Sequence, residues 1–215
     1  MIDSTDFTIP GTGALRNKLG ITDPAALSKA ATDSTALRLA DLRATPVRGG
    51  FDSAHLQAIH HHIYQDLYDW AGELRSIDAG NVPASQVEKS LNSVLDRLSR
   101  ENHLKGLSAE EWAGSASAYL YDLGTIQPFL AGNEVALQEF AVELARKNNL
   151  GLHWDATPGI SSGSMALLSQ TEQSANLRRL IMLAMDTDPI VQPSNSGHRI
   201  ERDMDSVLTI GNLLL

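Results

Sequence analysis

Apolar residues recur every three or four positions along most of this chain, the spacing that places them on one face of an α-helix. The clearest stretch is residues 52–70, where one stripe contains Leu56, Ile59, Ile63, Leu67 and Trp70. Similar patterns predict helices over residues 24–31, 34–43, 108–124, 132–147 and 164–185, and another that begins at residue 85. Residues 73–79 predict a short extended segment. We therefore predict an all-α helical bundle with at most one short β-hairpin.

Three of the helix starts carry local capping signals. Ser85 with Glu88, and Ser108 with Glu111, match the capping box, in which two side chains satisfy backbone N–H groups reciprocally. Asp23 precedes a proline, a residue that suits the first position of a helix. These signals predict where the helices begin more sharply than the apolar pattern does.

The chain divides into three parts by composition. Residues 1–33 predict an irregular arm and a short helix, residues 34–187 a helical domain, and residues 188–215 a linker followed by an apolar C-terminal segment. The N-terminus lacks a basic stretch followed by an apolar core, and no segment approaches about 18 uninterrupted apolar residues. We therefore expect a cytoplasmic protein.

Charge and cysteine content exclude several classes of function. Lys and Arg number 17 against 26 Asp and Glu, a formal net charge of −9, which disfavours binding to nucleic acid or to anionic membranes. The absence of cysteine excludes disulfides, thiolate zinc sites and cysteine nucleophiles. The partner that this composition favours is another protein.

Four histidines raise the question of a metal site. His60, His61 and His62 are consecutive, and His55 lies on the same predicted helix. Consecutive helical side chains point about 100° apart and cannot share one ion. We predict no metal site here, but a partly exposed helix face whose histidines pair with solvent or a carboxylate.

Two segments together resemble the Fic family, whose members are helical enzymes that mostly transfer AMP from ATP to a protein hydroxyl. The first, HLQAIHHHIYQDLYDWAGELRSID, spans residues 55–78 and is similar to the family's long helix, DWAG-type turn and short strand. The second, IQPFLAGNEVALQEF, spans residues 126–140 and aligns without gaps on the family signature, which begins His-Pro-Phe. The resemblance implies the Fic fold over roughly residues 35–185, with Trp70 and Phe129 in its core.

The signature positions that carry chemistry in the family differ here. The family's histidine, the general base, corresponds to Gln127, whose amide cannot accept a proton near neutral pH. The acidic residue that holds magnesium corresponds to Ala131, which has no oxygen ligand in its side chain. The resemblance therefore implies an adenylyltransferase scaffold without its base or its metal ligand.

The charge of the signature is also reversed. Glu134 replaces the second glycine, Val135 and Gln138 replace the two arginines that clamp phosphate, and Leu130 replaces a residue often basic in relatives. A common family form carries a net charge of +2, whereas this segment carries −1. The flap between residues 75 and 85, with which relatives align their targets, is also several residues shorter. We therefore expect no tight binding of ATP and no bound cofactor or metal.

Two functions remain open. The first is a protein that has lost AMP transfer and acts by binding, as a pseudoenzyme, regulator, antitoxin-like protein or effector; a symmetric homodimer is an open alternative. The second is an enzyme that reuses the cleft for metal-independent chemistry on a small, neutral or cationic ligand, with Glu134 as acid or base and Gln127 and Asn133 as hydrogen-bonding groups. In either case, the residues expected to line the cleft are Phe129, Gly132, Asn133 and Gln138.

Overall fold

The structure is a computed structural model that describes residues 7–79, 81–154 and 170–185, with the side chains of 170–174 left aside. The described residues form six α-helices: α1 (Pro24–Ala44), α2 (Ser53–Tyr64), α3 (Val87–Arg100), α4 (Ala109–Ile126), α5 (Asn133–Lys147) and α6 (Gln170–Ala184). In these ranges β-structure is limited to three isolated bridges. The predicted all-α fold is confirmed. No described helix is both long enough and apolar enough to cross a membrane.

Helix α4 lies at the centre and packs against α3, α5 and α6, while α2 packs against α1 and α5. The inward face of α4 carries apolar residues at helical spacing, and Trp112 and Leu123 are fully buried there. Burial of this continuous core, at about 25 cal/mol per Å² of apolar surface, is the main source of stability. The arrangement places the connection between α4 and α5, which contains the signature, beside α2.

The prediction of two helices over residues 24–31 and 34–43 is wrong, because α1 is continuous through both. No glycine or proline interrupts residues 25–44, and Lys29 pairs with Asp33 one turn later at 3.0 Å. Thr32 bonds back to the carbonyl of Ser28 and so remains compatible with the helix. The domain boundary expected after residue 33 therefore falls inside α1. Asp23 caps the helix as predicted, accepting the N–H of Ala26.

Helix α2 ends at Tyr64, six residues before its predicted end. The N-terminal arm provides the physical reason, since Lys18 donates its backbone N–H to the carbonyl of Leu67 and its Nζ to that of Gln65, each at 2.8 Å. Leu67 is nevertheless fully buried. The apolar pattern thus predicted burial correctly but not the helix boundary.

Only one of the two predicted capping boxes forms. Ser108 and Glu111 cap α4 reciprocally, as predicted. Ser85 lies in a short 3₁₀ turn, Ala84–Gln86, and α3 begins after Gln86 without a side-chain cap. The capping box predicted at Ser85 is therefore wrong, because the 3₁₀ turn shifts the start of the helix past it.

Three predicted features fall wholly or partly outside the described residues: the loop at 156–164, the start of the last predicted helix, and the C-terminal part at 188–215. In the described residues of the flap segment, 75–79 and 81–85, one isolated bridge joins Ala79 and Val82. This agrees with the prediction of at most one short hairpin.

Candidate functional site

The signature forms a tight connection, the motif turn (residues 127–132), between α4 and α5. Gln127 ends α4 in the left-handed region with φ 48°, and Gly132 precedes α5 with φ 76°. A Cβ atom on Gly132 would lie 2.4 Å from the ring of Tyr64 in α2. Glycine is thus required there both by the backbone angle and by the close approach of α2.

Asn133 closes the motif turn with both of its polar side-chain atoms. Its Oδ1 accepts the N–H of Phe129, and its Nδ2 donates to the carbonyl of the same residue, each at 2.8 Å. Phe129 itself is buried. Both residues were predicted to line the cleft, and their geometry shows that they hold the shape of the turn, which leaves the amide of Asn133 already engaged.

Arg75 joins the flap segment to the motif turn. This buried guanidinium donates to the carbonyls of Gln127 at 2.7 Å and Ile126 at 3.1 Å, and also to the flap carbonyls of Ile77 and Val82. Burial lowers the pKa of Arg75 from its ordinary value, with a smaller opposing effect of Asp78. Arg75 was not predicted as a site residue, because its bonds to the motif turn reach carbonyls about fifty residues away in the chain.

His60 of α2 holds the other side of the motif turn. Its Nδ1 accepts the N–H of Gly72 at 2.9 Å, so Nε2 carries the proton and donates to the carbonyl of Ala131 at 3.0 Å. Its ring stacks on Phe129 with 3.8 Å between centroids. Burial lowers the pKa of His60 to about 4, which keeps the ring neutral.

Glu134 lies in the first turn of α5 with its carboxyl group partly buried. Its Oε1 receives a long hydrogen bond of 3.4 Å from Nε2 of Gln138, one turn further on. Burial raises the pKa of Glu134 to about 7. Burial also raises the pKa of the neighbouring Tyr64, and the charge of Glu134 adds to this increase.

Of the remaining predicted residues, Gln138 contacts the carboxyl group of Glu134 and Gln127 makes no hydrogen bond to it. Glu134 and Gln138 lie together on one face of α5, whereas Gln127 is exposed and its side chain has no hydrogen bond within the described part of the chain. In that part, the side chains that hydrogen-bond to the motif turn are those of His60, Arg75 and Asn133.

The prediction of a partly exposed histidine face is wrong for His55 and His60, which are only 3% and 0% exposed. His55 Nε2 lies 3.0 Å from Oε2 of Glu143, which satisfies the predicted pairing with a carboxylate, and His62 lies 3.2 Å from Asp41. Within the described ranges, no three side chains of His, Asp or Glu are placed to share a metal ion.

Two carboxylates of α5 are buried. Glu139 is 2% exposed and pairs with Nε of Arg43 at 3.6 Å, and Glu143 is 6% exposed and pairs with His55. Burial raises the pKa of Glu139, opposed in part by Arg43. The contacts of Arg43 and His55 with these carboxylates join the N-terminal half of the fold to α5.

The fold so described is that of a Fic domain. The chain superposes with a TM-score of 0.75 on the N-terminal Fic domain of a putative cell filamentation protein from Bartonella quintana, at 21% identity, covering 84% of this chain and 91% of that one. A structure of such a domain from the same organism with bound ADP gives the same score at 23% identity, covering 85% of this chain and 95% of that one. At this identity the likeness establishes the fold.

Sequence comparison then establishes the family. The chain is 33% identical to the probable protein adenylyltransferase Fic of Salmonella typhimurium, over 69% of this chain and 76% of that protein, and 31% identical to its Escherichia coli counterpart, over 82% and 88%. It is 34% identical to the protein adenylyltransferase VbhT of Bartonella schoenbuchensis, but the match spans 69% of this chain and only 32% of that protein. The profile of the Fic/DOC family matches residues 50–142. The chain belongs to the Fic/DOC family.

Proposed function

We propose that this protein has lost AMP transfer and acts by binding a protein partner. The observation that carries the proposal is the motif turn itself, where Gln127 stands at the position of the family's general base and no described histidine replaces it. General base catalysis contributes roughly 10² to 10⁴ in rate, so an amide at this position removes a large part of the catalytic effect. The relatives found by sequence comparison are adenylyltransferases or probable ones. Under this proposal, the present chain does not share their activity.

The nearest histidine is unsuited to act as a substitute base. His60 uses both ring nitrogens on backbone groups, is fully buried, and lies against Phe129. With a pKa of about 4 it would also be a weak proton acceptor near neutral pH. Its geometry supports a role in holding the turn.

The residues present do not fit magnesium or the phosphates of ATP. Ala131 offers no side-chain ligand, and its carbonyl already accepts a hydrogen bond from His60. Arg75, the buried cation at the turn, is committed to carbonyl groups. Glu134 adds negative charge where phosphate would approach, and like charges about 5 Å apart at an effective dielectric near 20 repel by roughly 3 kcal/mol.

The flap segment supports the same proposal. In the family it aligns a target, but here the carbonyls of Ile77 and Val82 are hydrogen-bonded to Arg75, and the N–H of Ala84 is bonded to Asp78. These groups are therefore not free to pair with a target strand. We propose instead a protein partner that contacts the cleft, with nucleic acid and membrane disfavoured by the net charge of −9 and a cytoplasmic setting as the expected one.

Nucleotide binding tests this proposal directly. Titration of the full chain with ATP and Mg²⁺ in a calorimeter should give no heat of binding with a Kd below about 1 mM. The matched variant is Glu134→Gly, which restores the family's glycine and removes the repulsion; it should bind ATP more tightly than the natural chain. Micromolar binding by the natural chain would contradict the proposal.

One observation favours the second candidate, an enzyme with new chemistry. The partly buried Glu134 has a pKa of about 7, which suits proton transfer near neutral pH. Asn133 is unavailable as its hydrogen-bonding companion, because both polar atoms are engaged with Phe129. An activity that is lost in Glu134→Ala while folding is retained would establish this alternative.

A further inference from the structure

Among the described carboxylates that are buried or partly buried, Glu134 lies beside neither a cation nor an imidazole. Asp122 pairs with Arg97 and Glu139 with Arg43, and Glu143 lies 3.0 Å from Nε2 of His55. The carboxyl group of Glu134 is partly buried, and its polar contact among the described residues is the long bond from Gln138. A charge that is partly removed from water and lacks a partner gains more from a cationic ligand than a fully hydrated one does.

The surroundings of Glu134 are neutral and leave one side of it accessible. Tyr64 of α2 packs on Gly132 and presents its hydroxyl group near the turn. Val135 and Leu130, at positions where relatives carry basic residues, provide partly exposed apolar surface. No described cation would compete with a basic ligand for the carboxylate.

We propose that Glu134, in the first turn of α5 beside the motif turn, receives an arginine side chain of the partner protein, whose guanidinium group pairs with its carboxylate. This inference rests on the proposed binding function. A guanidinium presents a planar fork of donors that matches a carboxylate in two parallel hydrogen bonds, and it is more weakly hydrated than an ammonium group. The net charge of −9 would steer a basic surface toward the chain.

The N-terminus of α5 opposes this pairing only weakly. The helix dipole disfavours a cation at this end, but a direct contact between opposite charges outweighs the dipole in a partly desolvated site. The same dipole stabilises the ionised form of Glu134. The ion pair is therefore compatible with the position of the carboxylate on the helix.

Binding should be linked to the protonation of Glu134, since the guanidinium requires the carboxylate. Raising the pH from 6 to 8 takes a carboxyl group of pKa about 7 from mostly protonated to mostly ionised, so the affinity should rise about tenfold. Tyr64 of α2 faces it, and Tyr68, in the segment that follows α2, lies behind Tyr64. Burial raises the pKa of both tyrosines, so both stay neutral over this range. No other charged group of α5 contributes to the raised pKa of Glu134.

N-acetyl-L-arginine amide is the probe for the experiment, titrated into the full chain at constant ionic strength. The signal is the ¹³C resonance of the Glu134 carboxyl group, followed at pH 6 and pH 8. We expect a saturable change, a lowered pKa of Glu134, and affinity about tenfold higher at pH 8. The citrulline analogue, which is nearly isosteric and uncharged, should have no effect, and the lysine analogue should bind more weakly.

Glu134→Gln should abolish the response to the probe, whereas Glu88→Gln, which changes an exposed carboxylate on α3, should leave it intact. No saturable response up to about 100 mM probe, or equal responses to arginine and citrulline, would overturn the inference. An equal response to lysine would overturn the assignment to a guanidinium. These measurements need no nucleotide, so a chain that ignores arginine and also fails to transfer AMP refutes only this inference and not the proposed function.

Discussion

At the scale of single residues, Glu134 and His60 give the stability opposite dependences on pH. The folded-state pKa of Glu134, about 7, lies above the ordinary value, so the native state keeps a proton that the unfolded state has lost and stability falls as the pH rises toward 7. The folded-state pKa of His60, about 4, lies below the ordinary value, so stability falls as the pH drops from 6.5 toward 4. In the natural chain the two effects partly cancel.

The Glu134→Gln variant separates them. It should gain about 1 to 2 kcal/mol of unfolding free energy relative to the natural chain between pH 5 and pH 8, less than the full pKa difference implies, because solvent screens a partly buried group. Urea denaturation at the two pH values measures this. Glu88→Gln is the control and should show no pH-dependent difference; the same behaviour in both variants would mean that Glu134 is not desolvated.

His60→Ala should destabilise the protein by about 3 kcal/mol at pH 7, because it leaves two backbone groups without partners and opens a void beside Phe129. His61→Ala is the matched control on the next residue. Its exposed ring makes one hydrogen bond among the described residues, to the carbonyl of Ala71, and the loss of this bond should cost about 1 kcal/mol. Equal losses of unfolding free energy in the two variants would contradict the role of His60 in holding the motif turn.

Residue identities in the signature could be predicted from the sequence, but their engagement could not. The replacement of a base by Gln127 is visible in the letters, whereas the double hydrogen bond of Asn133 and the burial of His60 depend on how α2 meets the motif turn. Such contacts join residues far apart in the chain. No local pattern in the sequence reports them.

At the scale of elements, the two predicted capping boxes provide a matched pair. Ser108→Ala should cost about 1 kcal/mol, because it leaves the N–H of Glu111 without its acceptor. Ser85→Ala should change the unfolding free energy by less than about 0.5 kcal/mol, because Ser85 caps no helix. Thermal or urea unfolding distinguishes them, and a larger loss at Ser85 would show that α3 begins where the sequence pattern predicted.

Arg75→Ala should loosen the flap segment and the motif turn together. Four carbonyls lose their donor, and we expect a loss of about 3 kcal/mol with faster amide hydrogen exchange over residues 77–84 and 126–129. Arg75→Lys keeps the charge but not the fork of donors, so it should recover only part of the protection. Arg100→Ala, at an exposed position on α3, is the control. Faster exchange confined to the flap segment in Arg75→Ala would contradict the conclusion that Arg75 holds both the flap segment and the motif turn.

The helices illustrate which features periodicity predicts. It identified the buried faces, including Leu67, which is buried although it lies beyond the end of α2. It misplaced boundaries where another part of the chain decides them, as when Lys18 bonds the carbonyls at the end of α2. Where a helix ends depends on which hydrogen-bond partners compete for its terminal backbone groups. Partners that lie far away in the chain cannot be seen in the local apolar pattern.

At the scale of the whole molecule, the Fic fold is present with an altered signature. The framework residues Phe129, Gly132 and Asn133 form the expected turn, while Ala131 and Glu134 stand at the positions for which the family resemblance implies metal and phosphate binding. The fold could be predicted because the resemblance runs through apolar and turn residues. The partner could not, because the sequence carries no pattern specific to one.

The measurement that tests the central claim most directly is transfer of AMP. The natural chain and a variant restored toward the family signature (Gln127→His, Ala131→Glu, Glu134→Gly, Val135→Arg and Gln138→Arg) are incubated with ATP, Mg²⁺ and candidate partner proteins. Intact-mass spectrometry then reports any added nucleotide. We predict none with the natural chain, under conditions where the restored variant binds ATP. Transfer by the natural chain that is lost in Gln127→Ala would contradict the account.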